Sequence, residues 1–510
     1  MAEAPPLQSP PPRAGSLGAS ARATLLWGGG FTLLRDIAQF GLMLILVRLL
    51  TPSDYGTAAL VQAIIGVAAA LSFQVFSSHA LQIRNPDEID WQAHFTAAVV
   101  LNTTLAVLVL CLAFGLSFTE RYQATALPLA ALSIVFLVEV PGALRHRMME
   151  ANHDWKRFRL LLMVGTLLGL TSGLVVGLLG GGVWALIVQV PMLGLPAAID
   201  LFVGTRFKPD WTWSWARYRE TAFFGCNRVG AGLVSRLRIL VENGVLAATF
   251  DLTTLGLYSR AMGLANLLVG RIGGVAMSAL YPVVTRAELA SQRFQRLAGL
   301  VLRGVAWTTI PIGTFLALTA ADTVQLLYGG QWGGVVPLLV LAAATTALIS
   351  MANALGMLLL ANGQAGAAFW LDVAMAFIGM LIAVVCIPWG PSAYIVALGG
   401  LGALLFLATM TVLIITHGLT LHWALRAFVP ALVAVVLAIS VVSSMARYVS
   451  VDDYLIARLL IEAVSSGIFY VFTLRLCFSR ELAELLEVAP YGTKIARLLF
   501  LKTYAEFRVP

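Results

Sequence analysis

Long, uninterrupted apolar runs constrain this chain more than any other feature. Fourteen of them lie at about 24–50, 55–81, 91–118, 124–144, 160–180, 182–204, 221–249, 254–282, 297–320, 333–361, 366–388, 391–417, 423–446 and 454–478. Each is near or above the roughly 20 residues that carry a helix across a bilayer core. Barrel strands would alternate over about ten residues, whereas these runs are continuous. The chain is therefore predicted to be an all-α integral membrane protein of about fourteen transmembrane helices. Composition agrees: 59% of the 510 residues are apolar, 11% are charged, and the mean hydropathy is +0.88. Soluble domains carry about 25% charged residues. The net charge of +8 therefore does not mark a nucleic-acid binder. Cys111, Cys226, Cys386 and Cys477 sit in or beside apolar runs without paired spacing, so neither a disulfide framework nor a metal site is implied.

Basic residues orient the helices. With the chain alternating sides, 23 of the 33 Lys and Arg fall on one side, while the opposite loops hold only Arg121 and Arg447. By the positive-inside rule both termini are cytoplasmic. The outer loops leave no room for an extracytoplasmic catalytic domain. No G-x-x-x-x-G-K-[ST] is present, so no ATPase acts in cis. Gly28–Gly30 and Gly180–Gly182 read as helix packing and tight turns.

An internal repeat emerges at the first turn of each half. RLLTPSDYGTAAL (48–60) joins the first two runs, and ATFDLTTLGLYSRA (248–261) joins the seventh and eighth. Aligning Gly56 with Gly256 brings Ser78-His79-Ala80-Leu81 within one residue of Met277-Ser278-Ala279-Leu280. The expected architecture is two six-helix bundles related by a pseudo-twofold along the membrane normal, plus two C-terminal helices. The divisions are a disordered tail (1–22), one bundle (23–204), a cytoplasmic linker (205–220), the second bundle (221–417), two added helices (418–478) and an amphipathic tail (479–510). That tail is expected along the inner surface of the bilayer.

Several segments together carry a resemblance. They are RLLTPSDYG (48–56), PGALRHRMMEANHDWKRF (141–158), FKPDWTWSW (207–215), FFG (223–225), LGLYSRA (255–261), SALYPVV (278–284) and LLYGGQWGGVVPLL (326–339). In their order and spacing the chain resembles the Wzx-type oligosaccharide-lipid flippases of the multidrug/oligosaccharidyl-lipid/polysaccharide exporter superfamily. The resemblance implies alternating access in the bacterial inner membrane. It also implies transfer of an undecaprenyl-diphosphate-linked oligosaccharide to the periplasmic leaflet for exopolysaccharide or lipopolysaccharide synthesis. Membrane lipids are the surrounding partners, and association with other polysaccharide-synthesis proteins is left open.

Charge inside spans is costly unless it meets a cavity or a partner. At 100° per residue, Asn227, Arg228, Ser235, Arg236, Arg238, Glu242 and Asn243 fall within about half the circumference of the seventh span. On the eighth, Arg260 and Arg271 share a face, and Glu242 and Arg260 are matched in depth for an ion pair. In the first, Arg35 and Asp36 lie on one polar arc, and Asp36 aligns with Arg236 in the repeat. The proposed substrate-binding set is Arg35, Asp36, Arg228, Arg236, Arg238, Glu242, Arg260 and Arg271, because arginine forks suit phosphate oxygens. Against this stands plain interhelical pairing with Glu242, Asp36, Glu139, Asp200 or Asp372. Asp36, Glu139 and Asp372 are also the carboxylates available for coupling to a proton or sodium gradient. No cofactor is expected.

Three other functions compete. A cation-coupled multidrug exporter predicts an acidic lumen, and a lipid II flippase shares the spans and an Arg-bearing cavity. A membrane polymerase or ligase would need a large outer loop. The leading expectation is a transporter, not an enzyme.

Overall fold

The computed structural model describes residues 35, 38–73, 80, 83, 88–211, 215–271, 274, 292–361, 363–417, 421–446 and 455–488. Among them there is no strand. The helices, in chain order, are α1 (Ala38–Leu49), α2 (Pro52–Ala70), α3 (Trp91–Ser117), α4 (Glu120–Ala151), α5 (Trp155–Leu178) and α6 (Trp184–Gly204). The second group is α7 (Trp215–Thr249), α8 (Leu252–Ala265), α9 (Gln292–Leu318), α10 (Ala320–Leu327) and α11 (Val335–Ala361). The last is α12 (Ala365–Cys386), α13 (Pro391–His417), α14 (Leu421–Ala446), α15 (Leu455–Cys477) and α16 (Ser479–Val488). Nine helices among the described residues are long and apolar enough to cross a membrane, and α1 and α14 carry shorter apolar stretches.

Local chemistry sets the helix starts. Thr51 caps α2 in a reciprocal box: its side chain accepts from the Asp54 N–H while Asp54 Oδ2 accepts from the Thr51 N–H at 2.9 Å. Asp251 caps α8 by accepting from the Thr254 N–H at 2.6 Å. In the repeat alignment the two pairs occupy the same positions with the residue types exchanged. Both helices begin four residues before the aligned glycine, at Pro52 and Leu252. Between α5 and α6 the chain turns through Gly180 and Gly182, whose φ values of 77° and 53° favour glycine.

The chain divides into two compact units. The first comprises 1–49, 72–118 and 126–227. Here α5 carries glycine at every fourth position, Gly165, Gly169, Gly173 and Gly177, all buried. A Cβ on Gly165 would lie 2.3 Å from the Leu193 carbonyl oxygen of α6, so the two backbones touch. Small residues at this spacing let helices approach closely where lipid supplies no hydrophobic drive. Buried Asn102 of α3 accepts from the Phe73 N–H and donates to the Phe136 carbonyl, both at 3.0 Å, tying three segments together. Asp200 of α6 bridges Arg145 of α4 at 2.6 Å and Arg157 of α5 at 2.5 Å.

The second unit comprises 50–71, 119–125 and 228–510. Within it, α2 lies against α8, and α11 packs on α8, α9 and α13. Its apolar core gathers Val301, Val305, Leu355, Leu358, Leu413 and Ala431 from α9, α11, α13 and α14. The start of the C-terminal tail is helical, as α16. Leu482 and Leu486 join this core, and Arg303 of α9 pairs with Glu484 at 3.1 Å. Residues 1–22 and 489–510, which complete the predicted tails, lie outside the described residues.

Candidate functional site

The polar residues of α7 do not act as one face. Arg238 and Glu242, one turn apart, pair at 3.0 Å. The second carboxylate oxygen of Glu242 accepts from the Tyr258 hydroxyl of α8. Tyr394 of α13 packs its ring 6.0 Å from that of Tyr258. The Arg238 stem runs over Gly379 of α12, where a Cβ would lie 2.8 Å from its Cδ. Glu242 is buried, so its charge is held by a partner on its own helix and a hydroxyl from the next. Asn243 beside it donates to the Ala59 carbonyl of α2 at 3.2 Å.

Arg236 turns the other way. Its Cδ and Nη1 pass Gly66 of α2, each 3.7 Å from where a Cβ would stand, and the residue is exposed. Among the described residues it has no hydrogen bond or ion pair. Among the described residues of this cluster, this exposed guanidinium in the middle of a long helix is left uncompensated.

Arg260 is not the partner of Glu242 expected from matched depth. Depth alone ignores that Arg238 sits one turn from Glu242 on the same helix face. Arg260 instead lies on the opposite side of α8, its guanidinium carbon 4.4 Å above the Tyr55 ring. Tyr55 meets Trp332 at 5.5 Å, and Trp332 meets Tyr328 at 5.6 Å, all three rings buried. Gln331 donates to the Leu50 carbonyl at 3.3 Å. Burial pushes the Tyr328 hydroxyl up to about 12, with the Arg260 charge opposing the shift. The segments RLLTPSDYG, LGLYSRA and LLYGGQWGG thus converge on one aromatic nest around Arg260.

Of the other predicted residues, Arg35 is helical and half-buried, and Arg271 is exposed just past the π-turn Asn266–Gly270 that ends α8. Arg228 lies on α7, but its side chain, like Asp36 altogether, is outside the described residues. Glu139 of α4 is half-buried, and Asp372 of α12 is exposed. Asp200 takes the pairing role with Arg145 and Arg157. Arg121, in the first turn of α4, donates to the carbonyls of Ala247 at 3.1 Å and Phe250 at 2.7 Å, closing the C-terminal end of α7. Sequence reasoning missed Tyr258 and Tyr394, since a tyrosine in an apolar run gives no charge signal. Position i+2 from Tyr258 to Arg260 was the available hint, because the two must point to different sides of α8.

Arg236 and Arg238 against Glu242 leave this stretch of α7 with a formal charge of +1. Such a surface favours an anion over a cation. Among the described residues no group of three or more His, Cys, Asp or Glu is placed to hold a metal ion.

Residues 45–337 match the family described as "Polysaccharide biosynthesis protein". The succinoglycan biosynthesis transport protein ExoT of Rhizobium meliloti (strain 1021) is 24% identical over 67% of this chain and 70% of its own length. The lipopolysaccharide biosynthesis protein WzxC of Escherichia coli (strain K12) is 20% identical over 70% of this chain and 74% of its own. Among solved structures, the lipid II flippase MurJ in an inward closed conformation superposes with a TM-score of 0.70 at 13% identity, over 88% of this chain and 99% of that one. An inward-facing multidrug resistance MATE family transporter of the MOP superfamily gives 0.54 at 13% identity, over 74% and 94%. The fold is thus of the MurJ/MATE kind.

Proposed function

We propose, from the premise that the chain belongs to the polysaccharide biosynthesis protein family, that it is a flippase for a lipid-linked oligosaccharide. The substrate is an undecaprenyl-diphosphate-linked repeat unit, carried from the cytoplasmic to the periplasmic leaflet of the bacterial inner membrane by alternating access. Both termini are cytoplasmic. The names of ExoT and WzxC support the polysaccharide reading, and the MurJ-like fold supports a transporter.

The observation that carries the reading is the uncompensated Arg236 beside the Arg238–Glu242 pair. A diphosphate leaving water needs its charge matched, and guanidinium forks do this with paired, charge-assisted hydrogen bonds. Arg35, Asp36, Arg228, Glu242, Arg260 and Arg271 are further substrate-binding candidates, each within its own unit. Glu139 or Asp372 serves as the titrating carboxylate if a proton or sodium gradient drives the cycle.

Reconstitution tests the reading. Purified protein in vesicles carrying a lipid-linked oligosaccharide labelled in one leaflet should move the label to the other. Transfer no faster than in protein-free vesicles would remove the reading. The cationic cluster disfavours a multidrug exporter of cationic drugs. Lipid II is separated by complementation: rescue of a strain depleted of its peptidoglycan flippase would replace the oligosaccharide reading.

A further inference from the structure

A cavity of about 760 Å³ lies among α9, α14 and α15, within the second unit. Its size falls in the roughly 300–1,000 Å³ range of small-molecule sites. One end is closed where the Tyr470 hydroxyl donates to the Trp307 carbonyl at 3.0 Å and the Trp307 indole donates to the Ala427 carbonyl at 3.0 Å. At the other end of α15, Arg458 pairs with Asp322 of α10. The wall is otherwise aliphatic, with Ile312, Leu318, Val435, Ile439 and Val442 among the lining residues.

Three hydroxyls of the wall are already used. Thr308, Thr314 and Thr319 donate their hydroxyls to carbonyls of α9 itself. The Glu462 carboxylate accepts no hydrogen bond among the described residues, and the cation acting on it is Arg458. It lies one turn below Arg458 on the same face of α15, and Arg458 already serves Asp322. Asp322, Arg458 and Glu462 together carry one negative charge more than positive at the edge of an apolar cavity. A charge placed so in a span calls for a counter-ion. The solvent here is lipid: Ile456, Leu460, Ile461, Val464 and Ile468 expose their side chains along α15.

We propose that this cavity binds a phospholipid with a primary-ammonium headgroup, its ammonium on Glu462 and an acyl chain along the aliphatic wall. The carboxylate supplies a charge-assisted acceptor for N–H donors that an anionic glycerol headgroup lacks. A soluble cation would satisfy Glu462 but leave the aliphatic space unfilled. The site is independent of the arginines of α7 and of the flippase reading.

The test uses the purified full-length protein, delipidated in detergent and titrated with phosphatidylethanolamine or phosphatidylglycerol of identical chains. Bound lipid is read by native mass spectrometry. Phosphatidylethanolamine is expected to bind about tenfold tighter, the effect of one charge-assisted hydrogen bond. Glu462→Gln should bring the two lipids within about twofold of each other and leave phosphatidylglycerol unchanged. Ala463→Trp, which fills the cavity from an exposed position on its wall, should weaken both. Equal binding of the two lipids by the unaltered protein, or a preference that survives Glu462→Gln, would overturn the assignment.

Discussion

Gly56 of α2 and Gly256 of α8 meet backbone to backbone, and they do so reciprocally. A Cβ on Gly56 would lie 1.7 Å from the Leu252 carbonyl oxygen, and one on Gly256 would lie 1.8 Å from the Pro52 carbonyl oxygen. Positions 52 and 56 thus face 256 and 252, the pattern of a local twofold axis passing between the two glycines. The turns aligned in sequence are in contact in space.

This contact tolerates no side chain. Gly56→Ala and Gly256→Ala should each cost more than about 3 kcal/mol, because backbone must move to admit a methyl group. Gly244→Ala in α7, where nothing lies within 4 Å, should instead gain about 0.5–1 kcal/mol from the lower flexibility of the unfolded chain. Thermal unfolding of detergent-purified variants checks both signs. A neutral Gly56→Ala would refute the close crossing.

The Arg238–Glu242–Tyr258 group predicts non-additivity. Glu242→Ala strands Arg238 and should cost about 3 kcal/mol, whereas the Arg238→Ala, Glu242→Ala double variant should cost less than Glu242→Ala alone. Additive losses in a double-mutant cycle would show that the pair contributes nothing as a pair.

Asp200 holds two arginines, so its removal should exceed the loss of either. Asp200→Ala is expected to destabilise by about 3 kcal/mol, Arg145→Ala by somewhat less, and Arg157→Ala least, since its side chain is 42% exposed. Unfolding midpoints that reverse this order would contradict the bridge.

The legible part of this chain was its local part. Apolar runs mark helices because bilayer thickness fixes their length, and a helix was found within each of the runs read from sequence. The turns at 48–60 and 248–261 were legible, whereas their caps, Thr51 and Asp251, came from the structure. The Gly56–Gly256 register was visible because a repeat preserves spacing. Pairing was not legible. Glu242 had Arg238 and Arg260 within reach by depth, and the choice depended on which side of α8 Arg260 leaves, together with a hydroxyl, Tyr258, that hydropathy cannot see. Trp332 and Tyr328 gave no chemical signal either. Their role as the aromatic nest of Arg260 required α2, α8 and the loop before α11 to be brought together.

Arg236 is proposed to meet the anionic part of the substrate. The measurement is transfer of lipid-linked oligosaccharide in vesicles by Arg236→Ala, Arg236→Lys and unaltered protein, at equal protein content and equal thermal midpoint. Arg236→Ala should lose at least about tenfold, the order expected for one charge-assisted contact. Arg236→Lys should recover part of it, since a lysine keeps the charge and loses the fork. Undiminished transfer by Arg236→Ala would show that this arginine does not meet the substrate.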